Sequence, residues 1–103
     1  MTIYEHKANL TTVAGTVAST TLRIPGGIAR YFLVRALTSP ALTTFRADLT
    51  DEDGIVRVNY GYHVGELRDD IIEYPLAGTY TVNITNVGPS NDTFRIILSV
   101  QEN

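Results

Sequence analysis

At 103 residues the chain is long enough for one hydrophobic core and too short for a two-domain enzyme. An apolar fraction of 44% against 18% charged residues excludes wholesale disorder. A net charge of −3 gives no reason to expect nucleic acid, and the lack of cysteine excludes disulfides, thiolate nucleophiles and zinc–cysteine sites.

The opening residues, MTIYEHKANL, lack the basic and apolar regions of a secretory signal, and no uncharged apolar run approaches the ~20 residues of a membrane span. A soluble product made in the cytoplasm is expected, with no membrane partner. Helical periodicity is nowhere convincing; short β-rich runs recur with Gly, Pro, Asn and Asp between them. TIYEHKA (residues 2–8) reads as a first strand. LTTVAGTVASTTLRI (10–24) reads as one long strand, or as two short ones interrupted at Gly15. IPGG (24–27) supplies a turn before IARYFLVRAL (28–37), which Pro40 brings to an end. TTFRADLT (43–50) alternates Phe45, Ala47 and Leu49 with Arg46, Asp48 and Thr50, as a half-buried strand does. DEDG (51–54) ends in the Asp-Gly pair favoured in tight hairpins, and IVRVNYGY (55–62) returns antiparallel. HVGELR (63–68), the short run DDIIEYPL (69–76) and TYTVNITNV (79–87) follow. After a turn at GPSND (88–92), TFRIILSV (93–100) points Phe94, Ile96, Leu98 and Val100 to one face. The pattern predicts an all-β fold: a single antiparallel β-sandwich of about eight strands, jelly-roll or Greek-key in type. Residues 1–103 form one domain, with residues 1–24 a candidate arm or edge strand engaged in assembly.

In PLAGTY a Tyr stands four residues after Leu76 and two after Gly78, the spacing of a tyrosine corner. Tyr80 is then expected to brace the corner by bonding its hydroxyl back to upstream backbone, with Gly78 supplying conformational freedom. The longer pattern resembles jelly-roll modules of the pre-peptidase C-terminal type: a DLTDEDG-like hairpin at Asp48–Gly54, the corner at Ile72–Tyr80, and a final strand at Phe94–Leu98. That resemblance implies a jelly-roll fold for the C-terminal half.

Four sets of residues are candidates for chemistry or binding. The acidic cluster Asp48, Asp51, Glu52 and Asp53 suits either a calcium loop or a solvated hairpin tip, and DEDGIVRVNYGY lacks the ligand spacing of an EF-hand. Asp69 and Asp70 make a second acidic pair. His63, near Glu66, Asp69 and Tyr62, has no activated nucleophile beside it, and His6 lies far off in sequence; a lone loop histidine accounts for it. Arg57, Tyr60, Tyr62 and His63 form an aromatic and basic set. Tyr60 and Tyr62 share a parity and so are expected to face the same way, either as a sugar or protein platform or, for Tyr60, in the core with Val56 and Val58. Tyr31, Leu33 and Arg35, with Ile97, make strands apolar on both sides, as at an interface.

Two biases bear on function. Seven of the eight basic residues are Arg, Lys7 being the exception, and there are six Tyr; Arg and Tyr are enriched where protein surfaces meet, though lineage bias gives the same pattern. The tract 8–22 holds no ionisable side chain, and either pairs internally or packs on another subunit. Sequons at Asn9, Asn83 and Asn91 follow from the Thr-rich composition. The expectation is a non-enzymatic structural protein without cofactor, partnered by identical subunits or a protein lattice. In general character it is similar to tailed-phage virion accessories such as capsid decoration or cement proteins, and would be located in the virion. The alternative is a carbohydrate- or calcium-binding module.

Overall fold

The computed structural model describes residues 2–38, 42–70 and 74–102. The expected break at Pro40, and Ile71 to Glu73 of the DDIIEYPL run with the Ile72 of the corner pattern, lie outside them. Among the described residues seven strands are formed: β1 (Thr2–Thr12), β2 (Val17–Ala36), β3 (Thr44–Thr50), β4 (Val56–Val64), β5 (Glu66–Asp69), β6 (Tyr74–Asn86) and β7 (Asp92–Glu102). Every pairing is antiparallel. The order is β1-β7-β2-β6-β3-β4, with β5 also on β2.

The organising element is β2, at 20 residues. Its first half, Val17–Ile24, pairs with β6. Its second half pairs with β7 on one side and, over Phe32–Arg35, with β5 on the other. The chain therefore builds two layers, β2-β6-β3-β4 and β1-β7-β2-β5, joined by one strand that passes from the first to the second. The expected turn at IPGG is not a turn. The backbone stays extended there and takes a bulge between Ile24 and Gly27, because ladders on both sides satisfy the peptide groups that a turn would release. Gly27 faces both Leu76 of β6 and Glu102 of β7. A Cβ at this point would lie 2.3 Å from the Gln101 carbonyl oxygen, so only glycine lets three strands meet.

The layers close over Leu22, Ile24, Phe32, Val34, Phe45, Leu49, Leu67, Val82, Ile84, Phe94, Ile96, Leu98 and Val100, all buried. Contact across the layers is direct: the Phe45 and Phe94 rings are 4.8 Å apart, centroid to centroid. One end of the sandwich is sealed by polar groups instead. The buried Asp92 carboxylate accepts from the Thr38 amide at 2.9 Å, the Thr43 hydroxyl at 2.7 Å and the Thr93 amide at 2.8 Å. Beside it the Asn86 amide group donates to Thr12 Oγ1 at 2.9 Å. These bonds replace the water that the strand ends lose on burial. The uncharged tract 8–22 ends β1, turns at Val13–Thr16 and begins β2, so Gly15 separates two strands. Among the described residues β1 pairs only with β7, and so has one open edge.

Candidate interaction surfaces

The acidic hairpin organises itself. Asp51 Oδ1 accepts from the amides of Asp53 at 2.9 Å and Ile55 at 3.0 Å, and its Oδ2 meets Arg57 Nε at 2.6 Å. The Ile55 amide above all holds the Asp51 carboxyl below the usual carboxylate range; desolvation opposes it, and the Arg57 and Asp53 hydrogen bonds add to the lowering. Glu52 reaches across to accept from the Thr79 amide at 2.8 Å, which ties the hairpin tip to β6. Asp48 belongs to a ladder on the outer face, where Asn83 Nδ2 donates to it at 2.7 Å and Ser19 Oγ donates to Asn83 Oδ1 at 2.6 Å. Asp70 meets Arg68 at 2.8 Å. Among the described residues no three His, Asp or Glu side chains converge as a cation site would need.

At Leu76, Gly78 and Tyr80 the chain is a continuous strand, β6, bent where Gly78 faces Ile24 of the β2 bulge. The Tyr80 hydroxyl donates to the Ala77 carbonyl and accepts from the Ala77 amide, both at 3.1 Å. Leu76 is buried beneath. The bend lies within the ladder and not in a loop between strands.

On β4 the parity expectation fails. Arg46 pairs with Tyr62 but Asp48 pairs with Asn59, so Tyr60 and Gly61 together oppose Ala47. This is a bulge with Gly61 at φ 68°, a left-handed value that costs glycine nothing. One inserted residue reverses every side chain beyond it. Tyr60 turns inward and stacks on Phe32 with centroids 5.3 Å apart. Burial pushes its phenol pKa up, and the charge of Asp69 pushes the same way. His63 also turns inward, 6.5 Å from the Phe45 ring, with a buried Nδ1 that has no hydrogen-bond partner among the described residues. Tyr62 points out, so the two tyrosines do not make one platform.

The expected surface set therefore divides. Tyr31, Leu33, Arg35 and Ile97 lie together on the outer face of the β1-β7-β2-β5 layer. Register places Leu33 beside Ile97, with Lys7 and Arg68 at the ends of the same row and Arg35 beside Arg95 in the next. Tyr31 donates to Glu5 over the small Ser99, which raises the Tyr31 pKa. Arg57 is held at the hairpin, and Tyr62 lies on the opposite layer.

There Tyr62 belongs to a patch that strand alternation could not reveal. One row across the sheet runs Val17, Thr85, Arg46, Tyr62, and the next brings Val87, Thr44 and Val64 together. The apolar members are open: Val17 60%, Tyr62 59%, Val64 61% and Val87 48% exposed. The Arg46 guanidinium lies 5.8 Å from the Tyr62 ring centroid. Val17 and Tyr62 are visible in the sequence only once the sheet order and the Gly61 bulge are known.

The chain is thus an all-β protein of antiparallel sandwich type. A scan of protein-family models and a search of curated proteins give no match. Solved structures superpose on this chain to differing degrees. A serine protease of Aeromonas sobria superposes with a TM-score of 0.50 at 8% identity, over 98% of this chain. The chain spans only 28% of that protease. PliG of Aeromonas hydrophila, a periplasmic inhibitor of g-type lysozyme, gives a TM-score of 0.50 at 16% identity over 96% of this chain and 86% of PliG. The C-terminal domain of a structural protein of Sulfolobus turreted icosahedral virus gives 0.42 at 20% identity over 92% of this chain and all of that one (100%). At such identities the likeness concerns the fold alone.

Proposed function

We propose that this chain is a non-enzymatic structural protein that works through protein–protein contacts, specifically a virion accessory such as a capsid decoration or cement protein. The observation that carries the reading is the Tyr62 patch. An exposed aromatic ring under an arginine, bordered by three open valines on one sheet face, has the make-up of a binding hot spot. The candidate chemistry elsewhere is engaged in structure: Asp51 and Glu52 bind backbone, Tyr80 braces a bend and Tyr60 packs against the core on Phe32. Kinship with pre-peptidase C-terminal-type modules is part of the same proposal, since the hairpin and corner that carry the likeness meet through Glu52 and Thr79.

The test is co-sedimentation with assembled particles from the same source, comparing the native protein with Tyr62→Ala. The variant should keep its thermal midpoint and bind about thirtyfold more weakly, the scale of a hot-spot truncation. Native protein that stays in the supernatant, or a variant that binds as well as the native chain, would overturn the reading.

A further inference from the structure

We infer that β1 is a self-recognition strand: two copies of the chain pair their β1 edges antiparallel about a two-fold axis at His6, giving one continuous sheet through both molecules. This rests on the assembly reading and names its partner as a second copy.

The open edge is long, Thr2–Thr12, and carries Ile3 at 61% and Tyr4 at 52% exposure. Such an edge is a template for another strand unless something blocks it. β1 has no proline and no bulge against β7, its register running unbroken from Thr2 opposite Glu102 to Thr12 opposite Asp92, and the only edge guards it carries are the charges of Glu5 and Lys7. Its charges select the partner. A two-fold axis normal to the sheet keeps each side chain on its own face, so only residues of like parity can oppose each other. Centred on Glu5 the pairing sets Glu5 against its own copy, and centred on Lys7 it sets Lys7 against its own. Centred on His6 it sets Glu5 of each chain against Lys7 of the other, twice, on the outer face. The same register places Tyr4 opposite Ala8 and Ile3 opposite Asn9, covering the exposed apolar groups. His6 does not obstruct the axis, because its ring is drawn back to Glu102 at 3.1 Å. Glu5 and Lys7 are half-exposed, at 43% and 49%, and only 4.0 Å from each other in the free chain. Glu5 Oε2 is held by the Tyr31 hydroxyl, so Glu5 Oε1 and Lys7 Nζ are the groups that meet the opposite copy.

The geometry has a functional corollary. An axis normal to the sheet leaves the second layers of both copies on the same side, so their Tyr62 patches face in one direction. Two patches on one rigid dimer engage a repeating surface with avidity.

The test is sedimentation equilibrium on the native protein, Glu5→Lys, Lys7→Glu, the double variant, and a mixture of the two single variants. The native chain should dimerise. Each single variant sets like charges opposite each other twice and should weaken dimerisation about tenfold. The double swap should restore it. So should mixing the single variants, since a strand with two cations then meets one with two anions. Circular dichroism on each variant checks that it is folded. A native chain that is monomeric at ~100 μM, well above the micromolar affinity of even modest interfaces, would overturn the inference while leaving binding of Tyr62 to a foreign lattice to stand or fall by co-sedimentation. A dimer indifferent to all four charge combinations would overturn it too, and would place self-association on another face.

Discussion

Gly61 decides which way its neighbours point. With strict alternation Tyr60 and Tyr62 would share a face; the extra residue sends Tyr60 to Phe32 and Tyr62 to solvent. Nothing in the local pattern signals this, because NYGY alternates as well without the bulge as with it. Tyr80 is the opposite case. Its spacing from Leu76 and Gly78 anticipates a hydroxyl bonded to upstream backbone, and the two Ala77 bonds have that form. Tyr80→Phe removes both, and should lower stability by about 1–3 kcal/mol in urea denaturation, since Ala77 is left to find water at a half-closed bend. A variant as stable as the native chain would mean that the bend is held by the β2 bulge alone.

At the scale of elements, the turn of the β3–β4 hairpin is organised around the Asp51 carboxylate. The folded-state pKa of Asp51 is depressed, chiefly by the Ile55 amide, so its contribution is fully present above the ordinary aspartate range. It is lost as the pH falls through the folded value. Amide exchange at Asp53 and Ile55 should therefore accelerate, relative to the core, on acidification below that range; unchanged relative protection would show that the Asp-Gly turn holds without the carboxylate. Strand alternation made β3, β7 and the hairpin legible in the sequence, because a half-buried strand must alternate to bury one face. It could not make β2 legible as one strand. Pro25, Gly26 and Gly27 spell a turn locally, and only the ladders to β6 and β7, drawn from far along the chain, keep them extended. The Asp92 and Asn86 network was equally hidden, since a buried carboxylate is recognised by the partners that the fold brings to it.

For the whole molecule, the shared strand makes two sheets one unit. Amides of β2, β6 and β7 should exchange with a single free energy equal to that of global unfolding, while those at the open edge of β1 exchange sooner. If the first half of β2 opened apart from the second, the layers would be independent. The fold class was readable because composition and turn spacing suffice for it; the interaction surfaces were not, because a patch is defined by which strands lie side by side. The same strand also sets the timing of folding during synthesis. Every ladder partner of β2 lies at Glu66 or beyond. A ribosome that has released β1 through β4 has produced a hairpin and a long, unpaired ribbon, but neither sheet. The chain must then fold in one late step, after β7 emerges, through contacts of high sequence separation. Until that moment β1 has no β7 beside it, so the edge offered to a second copy takes its folded form only once β7 has emerged.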